Sequence, residues 1–303
     1  MRAFVTGGRG FVGPWLGRHL ADAGDEVVIA SPTLDVTDGP AVRQAVRDAR
    51  PDVIYHLAAQ SSVKRSWDAP AETFGVNAMG TVQVLSAVQA CSPETRVLLV
   101  SSVEVYGEVA ERDLPITEEA ALRPATPYAA SKAAAEMAAI QAHLGWGLDV
   151  LRARPFNHTG PGQQTRFFVP NMARQIVEAD RSGAAELLTG NLAVARELLD
   201  VRDVVRAYRL LAERGVRGEV YNICTGRSVV LDQVVRMLLD LAGSDLKVIT
   251  DPSRLRPVDL KDLRGDPSRL RQATGWQPHY TLQQTLGDVL DDWRRRTILA
   301  APT

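Results

Sequence analysis

The sequence is poor in cysteine. Cys91 and Cys224 are its two, both in apolar surroundings. That argues against a disulfide framework and predicts two buried thiols in a reducing, cytoplasmic setting. No apolar run reaches the ~18 residues that a membrane-spanning helix needs. The opening "MRAFVTGG" turns glycine-rich too early to read as a signal peptide. Charge of either sign is not in excess: 35 Lys+Arg stand against 36 Asp+Glu, a formal net of −1. No electrostatic footprint for nucleic acid or an anionic membrane follows from that. The one basic run, 294–296, falls on an amphipathic pattern and reads as a solvated helix face. The histidines are His19, His56, His143, His158 and His279, none at short metal-ligand spacing from another histidine or a cysteine, so no metal is expected. His56 lies within an apolar run and reads as a core residue, whereas His158, after "RPFN", either touches substrate or shapes a turn. Internal repeats and low-complexity segments are lacking as well.

What is present is 303 residues, 45% of them hydrophobic, enough for one large or two ordinary cores. In the first half short β-branched runs alternate with helical patterns. "RAFVTGG" leads into "FVGPWLGRHLADAG", and "DEVVIAS" into an extended "TLDVTD". Thr37 or Asp38 can cap the helix "PAVRQAVRDAR" that follows. "PDVIYHLAA", "TRVLLVSS" and "LDVLRARP" are strands, separated by the helices "NAMGTVQVLSAVQAC" and "TPYAASKAAAEMAAIQAHLG". The expected fold is α/β: a doubly wound parallel sheet of Rossmann type over residues 1–155, then a smaller α/β substrate domain over 156–303. The boundary is approximate, and the chain can cross back. Ligands of such sheets bind beyond the carboxyl ends of the strands.

Gly7, Gly10 and Gly13 in "TGGRGFVG" lie between the first strand and its helix. Glycine lets the backbone turn tightly and approach a pyrophosphate, and the helix N-terminus offers N–H groups and a positive dipole end. The context after the first strand makes this a dinucleotide site. An acid at the end of strand two would bind the ribose hydroxyls of NAD(H), but the chain has Ala30-Ser31-Pro32 there. Arg9, within the loop, either reaches a 2′-phosphate or is solvated. NADP(H) is favoured, with NAD(H) as the alternative, and Asp35 and Val36 are the expected adenine contacts.

Tyr128 and Lys132 lie four apart in "YAASK", one face of a helix. A nearby ammonium is expected to lower the phenol's pKa from its reference value near ~10. Ser102, at the preceding strand end, is placed to hydrogen-bond the substrate oxygen. The acid Glu104 stands two residues further on.

These pieces, with "HLAAQSSV", "VSSVEVYG", "RPFNHTGPGQ" and "RPVDLKDLRGDPSRLRQATGWQP", resemble the extended short-chain dehydrogenases/reductases that act on nucleotide sugars. The matching pieces span nearly the whole chain in the family's order. The last two resemble the subgroup handling GDP-mannose derivatives, both 4,6-dehydratases and 4-keto-6-deoxymannose reductases. The resemblance implies a catalytic set of Ser102, Tyr128 and Lys132, with Glu104 at the dehydratases' base position. It implies cofactor contacts from Gly7, Arg9, Gly10, Phe11, Val12, Gly13, Asp35, Val36, Leu57, Ala58, Ala59, Tyr128, Lys132 and Pro155. Implied substrate contacts are Ser62, Ser102, Glu104, Asn157, Val169, Arg196, Arg256 and Asp259. The run from Arg196 to Asp203 departs from the family pattern: Glu197 and Leu198 stand where many members have aspartate and an aromatic.

Chain length and the short connection after strand two resemble the reductases. The expected reaction is NADPH-dependent reduction of the C4 ketone of GDP-4-keto-6-deoxy-D-mannose to GDP-D-rhamnose. A 4,6-dehydratase is the alternative. It would need an acid beside Glu104, and that position is Val103. Another nucleotide-sugar epimerase or reductase, and a cofactor-sensing protein without turnover, are the remaining readings. The helices over 70–91 and 127–145 resemble those that pair in the family's homodimers.

Overall fold

The computed structural model describes residues 1–255 and 261–299. Five parallel strands open the chain in order: β1 (Arg2–Thr6), β2 (Glu26–Ile29), β3 (Val53–His56), β4 (Arg96–Val100) and β5 (Val150–Pro155). A sixth strand, Val220–Ile223, comes from the second half and pairs in parallel with β5. The sheet runs from Val220–Ile223 through β5, β4, β3 and β1 to β2. The chain therefore steps from β1 outward to β2, then crosses back to β3 on the other side of β1. That reversal opens a crevice between the carboxyl ends of β1 and β3, where such sheets bind ligands.

Alternation along each strand fills both faces. Ala3, Val5, Tyr55 and Leu98 point to one side, where Leu16 and Leu20 of helix Val12–Asp22 meet Val204, Tyr208 and Leu211 of helix Val201–Arg214. Phe4, Ile54, Val97 and Leu99 point to the other, against Val42, Val46, Leu85, Val88 and Ala139. Each such buried side chain contributes roughly 1.5–3 kcal/mol. A second lobe has its own core, in which Ile176, Leu187, Val234, Leu238 and Leu290 pack together. Its sheets are small: Lys247–Thr250 pairs with Glu186–Thr189, and Ala195–Arg196 lies between Val229–Val230 and Asp262–Leu263.

Local signals explain the helices. Asp38 accepts the Ala41 N–H at 3.1 Å and caps helix Gly39–Ala49. Thr126 accepts the Ala129 N–H at 3.1 Å and caps Pro127–Trp146, which ends on left-handed Gly147. The run "TLDVTD" is not extended as expected. Asp35 accepts both the N–H and the hydroxyl of Thr37 at 2.8 Å, folding the segment into turns. Cys224 is buried, but Cys91 is only half-buried, because it sits at the end of helix Gly80–Cys91. The Arg294–Arg296 run is solvated as expected, with Arg294 and Arg296 paired to Asp291 and Asp292.

Candidate active site

The loop after β1 is shaped by contacts that exclude a side chain. Gly7 has φ +67°, and a Cβ there would lie 2.6 Å from the Ala58 nitrogen. A Cβ on Gly13 would lie 2.1 Å from the Gly8 carbonyl oxygen. Helix Val12–Asp22 starts at Phe11 with no side-chain cap and no acid in its first turn. Its first N–H groups are left unanswered by side chains, and the dipole end is not offset. This cradle fits the pyrophosphate of a dinucleotide. Leu57, Ala58 and Ala59 continue β3 beside Gly7, half-buried. Phe11 stacks on His158, with ring centroids 6.2 Å apart, joining the loop to the segment after β5. Nδ1 of His158 lies 3.0 Å from the Phe156 carbonyl, and burial keeps the imidazole's pKa below its usual value. Toward β2, Arg9 is exposed, and the hydroxyls of Ser31 and Thr33 are 2.8 Å apart. Asp35 is exposed, while Val36 packs against Gly80.

Ser102, Tyr128 and Lys132 are all buried at the end of β4. Ser102 follows the strand and caps the 3₁₀ turn Val103–Tyr106, accepting the Glu104 N–H at 3.2 Å. Its hydroxyl lies close enough to the Tyr128 phenol to lower that group's pKa. Lys132 donates to the Val100 carbonyl at 2.8 Å. The expected lowering of the Tyr128 pKa by Lys132 does not occur: burial pushes the phenol up to about 12, with Ser102 opposing and Glu104 adding to the rise. Burial likewise pulls Lys132 down to about 8 against the attraction of Glu136. The phenol therefore holds its proton at neutral pH, ready to donate it. Glu104 is half-buried, whereas Val103 beside it is 2% exposed and carries no proton.

Two buried polar clusters that spacing alone does not reveal support this set. A π-helical turn, Gly75–Met79, carries Asn77 against helix Pro127–Trp146. Asn77 Nδ2 donates to Ser131 Oγ at 2.9 Å and to the Gln60 carbonyl at 3.1 Å, while its Oδ1 accepts the Gln60 N–H at 2.8 Å. The second cluster is the Glu136–Arg154 ion pair, at 2.6 Å and fully buried. Removing one partner of such a pair costs about 3–5 kcal/mol. A buried polar residue within an otherwise apolar helix was the available signal for both Asn77 and Glu136. His56 is a core residue as expected. It sits 2.8 Å from Thr6 Oγ1 and 3.2 Å from Thr81 Oγ1, with burial lowering it to about 3.

The expected substrate contacts are more scattered. Ser62 caps helix Val63–Asp68 by accepting the Arg65 N–H at 3.2 Å. Pro155 closes β5, and Asn157 beyond it is exposed, its carbonyl accepting the Leu199 N–H at 2.9 Å. Val169 is 2% exposed and packs in the second lobe's core. Arg196 donates from Nη1 to the Ala195 carbonyl at 2.7 Å. Glu197, next to it, is fully buried and accepts N–H groups of Gly265 at 2.6 Å and Thr225 at 2.6 Å. Arg256 and Asp259 lie outside the described residues. A cavity of about 310 Å³ opens between Ala59, Gln60, Ser61 and Arg166 of the second lobe. No cluster of metal-ligating side chains occurs among the described residues, and no described helix is long and apolar enough to cross a membrane.

Known proteins share this architecture and sequence. The profile described as GDP-mannose 4,6 dehydratase matches residues 31–289. GDP-6-deoxy-D-mannose reductase of Pseudomonas aeruginosa is 39% identical over 298 residues, 97% of this chain and 98% of the relative. GDP-mannose 4,6-dehydratase of Yersinia enterocolitica is 28% identical, over 84% of this chain and 76% of the relative. The structure of RMD from Pseudomonas aeruginosa complexed with NADPH superposes with a TM-score of 0.90 at 38% identity, covering 97% of this chain and 98% of that one.

Proposed function

The chain belongs to the GDP-mannose 4,6-dehydratase family, and from that premise we propose that it is an NADPH-dependent reductase. It reduces the C4 ketone of GDP-4-keto-6-deoxy-D-mannose to the alcohol of GDP-D-rhamnose. The observation that carries this reading is the 39% identity to a GDP-6-deoxy-D-mannose reductase across nearly the full length of both chains. The dehydratase relative aligns over 76% of its own length only. The site agrees: a reduction needs a proton donor at the new alkoxide, and Tyr128 is protonated at neutral pH.

Gly7, Gly10 and Gly13 hold the pyrophosphate at the helix N-terminus, with Phe11 and Val12 beside it. Leu57, Ala58, Ala59 and Pro155 border the nicotinamide side. Arg9, with the hydroxyls of Ser31 and Thr33, would meet the 2′-phosphate, since Ala30-Ser31-Pro32 at the end of β2 carries no acid. NADPH, when bound, supplies the hydride. Ser102 donates a hydrogen bond to the C4 oxygen and orients it. Tyr128 delivers its phenolic proton to that oxygen and recovers one from solvent. Lys132 would orient the ribose hydroxyls. Asn157, Ser62 and Arg196 hold the nucleotide sugar in this reading. Glu104 is a polar wall of the sugar pocket. Val103 beside it offers no acid for the elimination of water.

The enzyme works as a cytoplasmic homodimer in this reading. Phe74, ending the short helix Pro70–Phe74, Met79 of the π turn, and Met137 and Leu144, seven residues apart on helix Pro127–Trp146, are exposed. They supply the apolar face that a second copy covers. The activity is tested with NADPH deuterated at the transferred position of C4 and the 4-keto sugar. The reading expects one deuterium at C4 of the sugar product, detected by mass and NMR. Unchanged ketone, or deuterium at C6, rejects it.

A further inference from the structure

We propose that Glu136 is a positioning residue of the reductive site, locking the strand end that bears Ser102 to the helix that bears Tyr128 and Lys132. The inference rests on the reductase reading for its kinetic arm and on geometry for the rest. Glu136 lies one helical turn beyond Lys132 and is fully buried. Both its oxygens are engaged. Oε1 accepts the Ser101 hydroxyl at 2.5 Å and Arg154 Nε at 2.8 Å, and Oε2 accepts Arg154 Nη2 at 2.6 Å. A carboxylate this buried, with both oxygens bonded within the protein, does not reach substrate, so its action passes through its partners.

Those partners span the site. Ser101 immediately precedes Ser102. Arg154 immediately precedes Pro155 and donates through Nη1 to the Tyr106 hydroxyl at 2.8 Å. Tyr106 ends the turn that carries Glu104 and donates onward to Asn222 Oδ1 at 2.7 Å on the sixth strand. One carboxylate thus ties β4, β5, the Val103–Tyr106 turn and helix Pro127–Trp146 together.

The charge matters as well as the bonds. Buried Lys132 donates to the Val100 carbonyl and feels the charge of Glu136, while the neutral imidazole of His56 feels that of Lys132. Arg152 stands 3.8 Å from Glu136, and Arg154 is bonded to it. With the carboxylate gone, both guanidiniums would be left uncompensated and Lys132 would lose the attraction that raises its pKa, so its neutral form would be favoured. Glu136 therefore holds Lys132 in the ammonium form that orients the ribose.

The test is Glu136→Gln, with NADPH binding titrated by fluorescence from pH 6 to 9.5 without sugar, and reduction kinetics in parallel. NADPH affinity at pH 6 is expected within about threefold of the parent, with its alkaline loss starting about one pH unit lower. The kcat at pH 7.5 is expected to fall about 100-fold, with KM for the ketone within threefold. An unshifted binding profile together with parental kcat overturns the proposal, as does a loss accounted for entirely by a smaller folded fraction. Ser101→Ala removes a single bond and leaves the ion pair, so it decides the positioning role if Glu136→Gln fails to fold. Its kcat is expected to fall about tenfold with no pH shift, and parental kcat there also overturns the inference. A parent that binds NADPH but does not reduce the GDP-keto sugar rejects the proposed function instead, and the binding profile still tests Glu136.

Discussion

The two ends of the cleft are built differently. At the carboxyl end of β4, Ser102, Tyr128 and Lys132 are buried, and the elements carrying them are cross-braced by the Glu136–Arg154 pair and by Asn77. Arg196, by contrast, sits on a two-residue strand, and Asn157 is exposed between β5 and strand His158–Thr159. The groups proposed to transfer the proton are held by buried hydrogen bonds and an ion pair. The groups proposed to hold the nucleotide depend on short strands and on Glu197, whose carboxylate gathers the backbone N–H groups of Gly265, Thr225 and Gly226. Preorganisation is concentrated where a misplacement of about 1 Å costs most in rate.

Substitutions can break this contrast, starting with the largest effect. Tyr128→Phe removes the proton donor but keeps the ring. Turnover is expected to fall at least about 1,000-fold, roughly 4 kcal/mol of barrier, with NADPH affinity retained in a binding titration. Loss of binding alongside turnover would show that the phenol holds the cofactor rather than the proton. Arg196→Ala strikes the other end. There, KM for the GDP-keto sugar is expected to rise about tenfold with kcat within threefold, a loss of uniform binding. A kcat effect equal to that of Tyr128→Phe would erase the distinction between the two regions.

The pH profile sharpens the same contrast. Lys132 has its pKa lowered to about 8 and is charged below that value. Tyr128, raised to about 12, keeps its proton throughout the working range. The required forms, ammonium and phenol, are thus both present at neutral pH. Activity is expected to decline as pH rises through about 8, on a limb belonging to Lys132. A profile flat to pH 9.5 would remove Lys132 from that role. The smallest effect is expected from Glu104→Gln: ketone reduction within roughly tenfold of the parent, about 1.4 kcal/mol. A loss as deep as that of Tyr128→Phe would give this carboxylate a chemical step.

The same contrast explains what could be read from sequence. The glycine loop and the Tyr128–Lys132 pair are local: a tight turn before a helix and two residues one turn apart follow from backbone geometry alone. The parallel sheet was legible because its strands are apolar on both faces. The return strand Val220–Ile223 carries the same burial but no local mark of which neighbour it joins. Glu136 and Arg154 were missed because an ion pair between two elements leaves no spacing signature. Asn77 was missed because a π turn rotates it off the regular helical face. The lowered phenol pKa was expected from the nearby ammonium. The structure reverses it because burial acts on Tyr128 more strongly than Lys132, which is turned to the Val100 carbonyl. In the second lobe, two-residue strands give too short a pattern to read, so resemblance alone pointed to Arg196.

The most direct measurement incubates the protein separately with GDP-mannose alone and with GDP-4-keto-6-deoxy-D-mannose plus NADPH, and follows the sugar nucleotides by mass. The account predicts unchanged GDP-mannose in the first vessel. In the second it predicts a two-hydrogen mass gain matched mole for mole by NADPH oxidation. Loss of water from GDP-mannose without added reductant would contradict it.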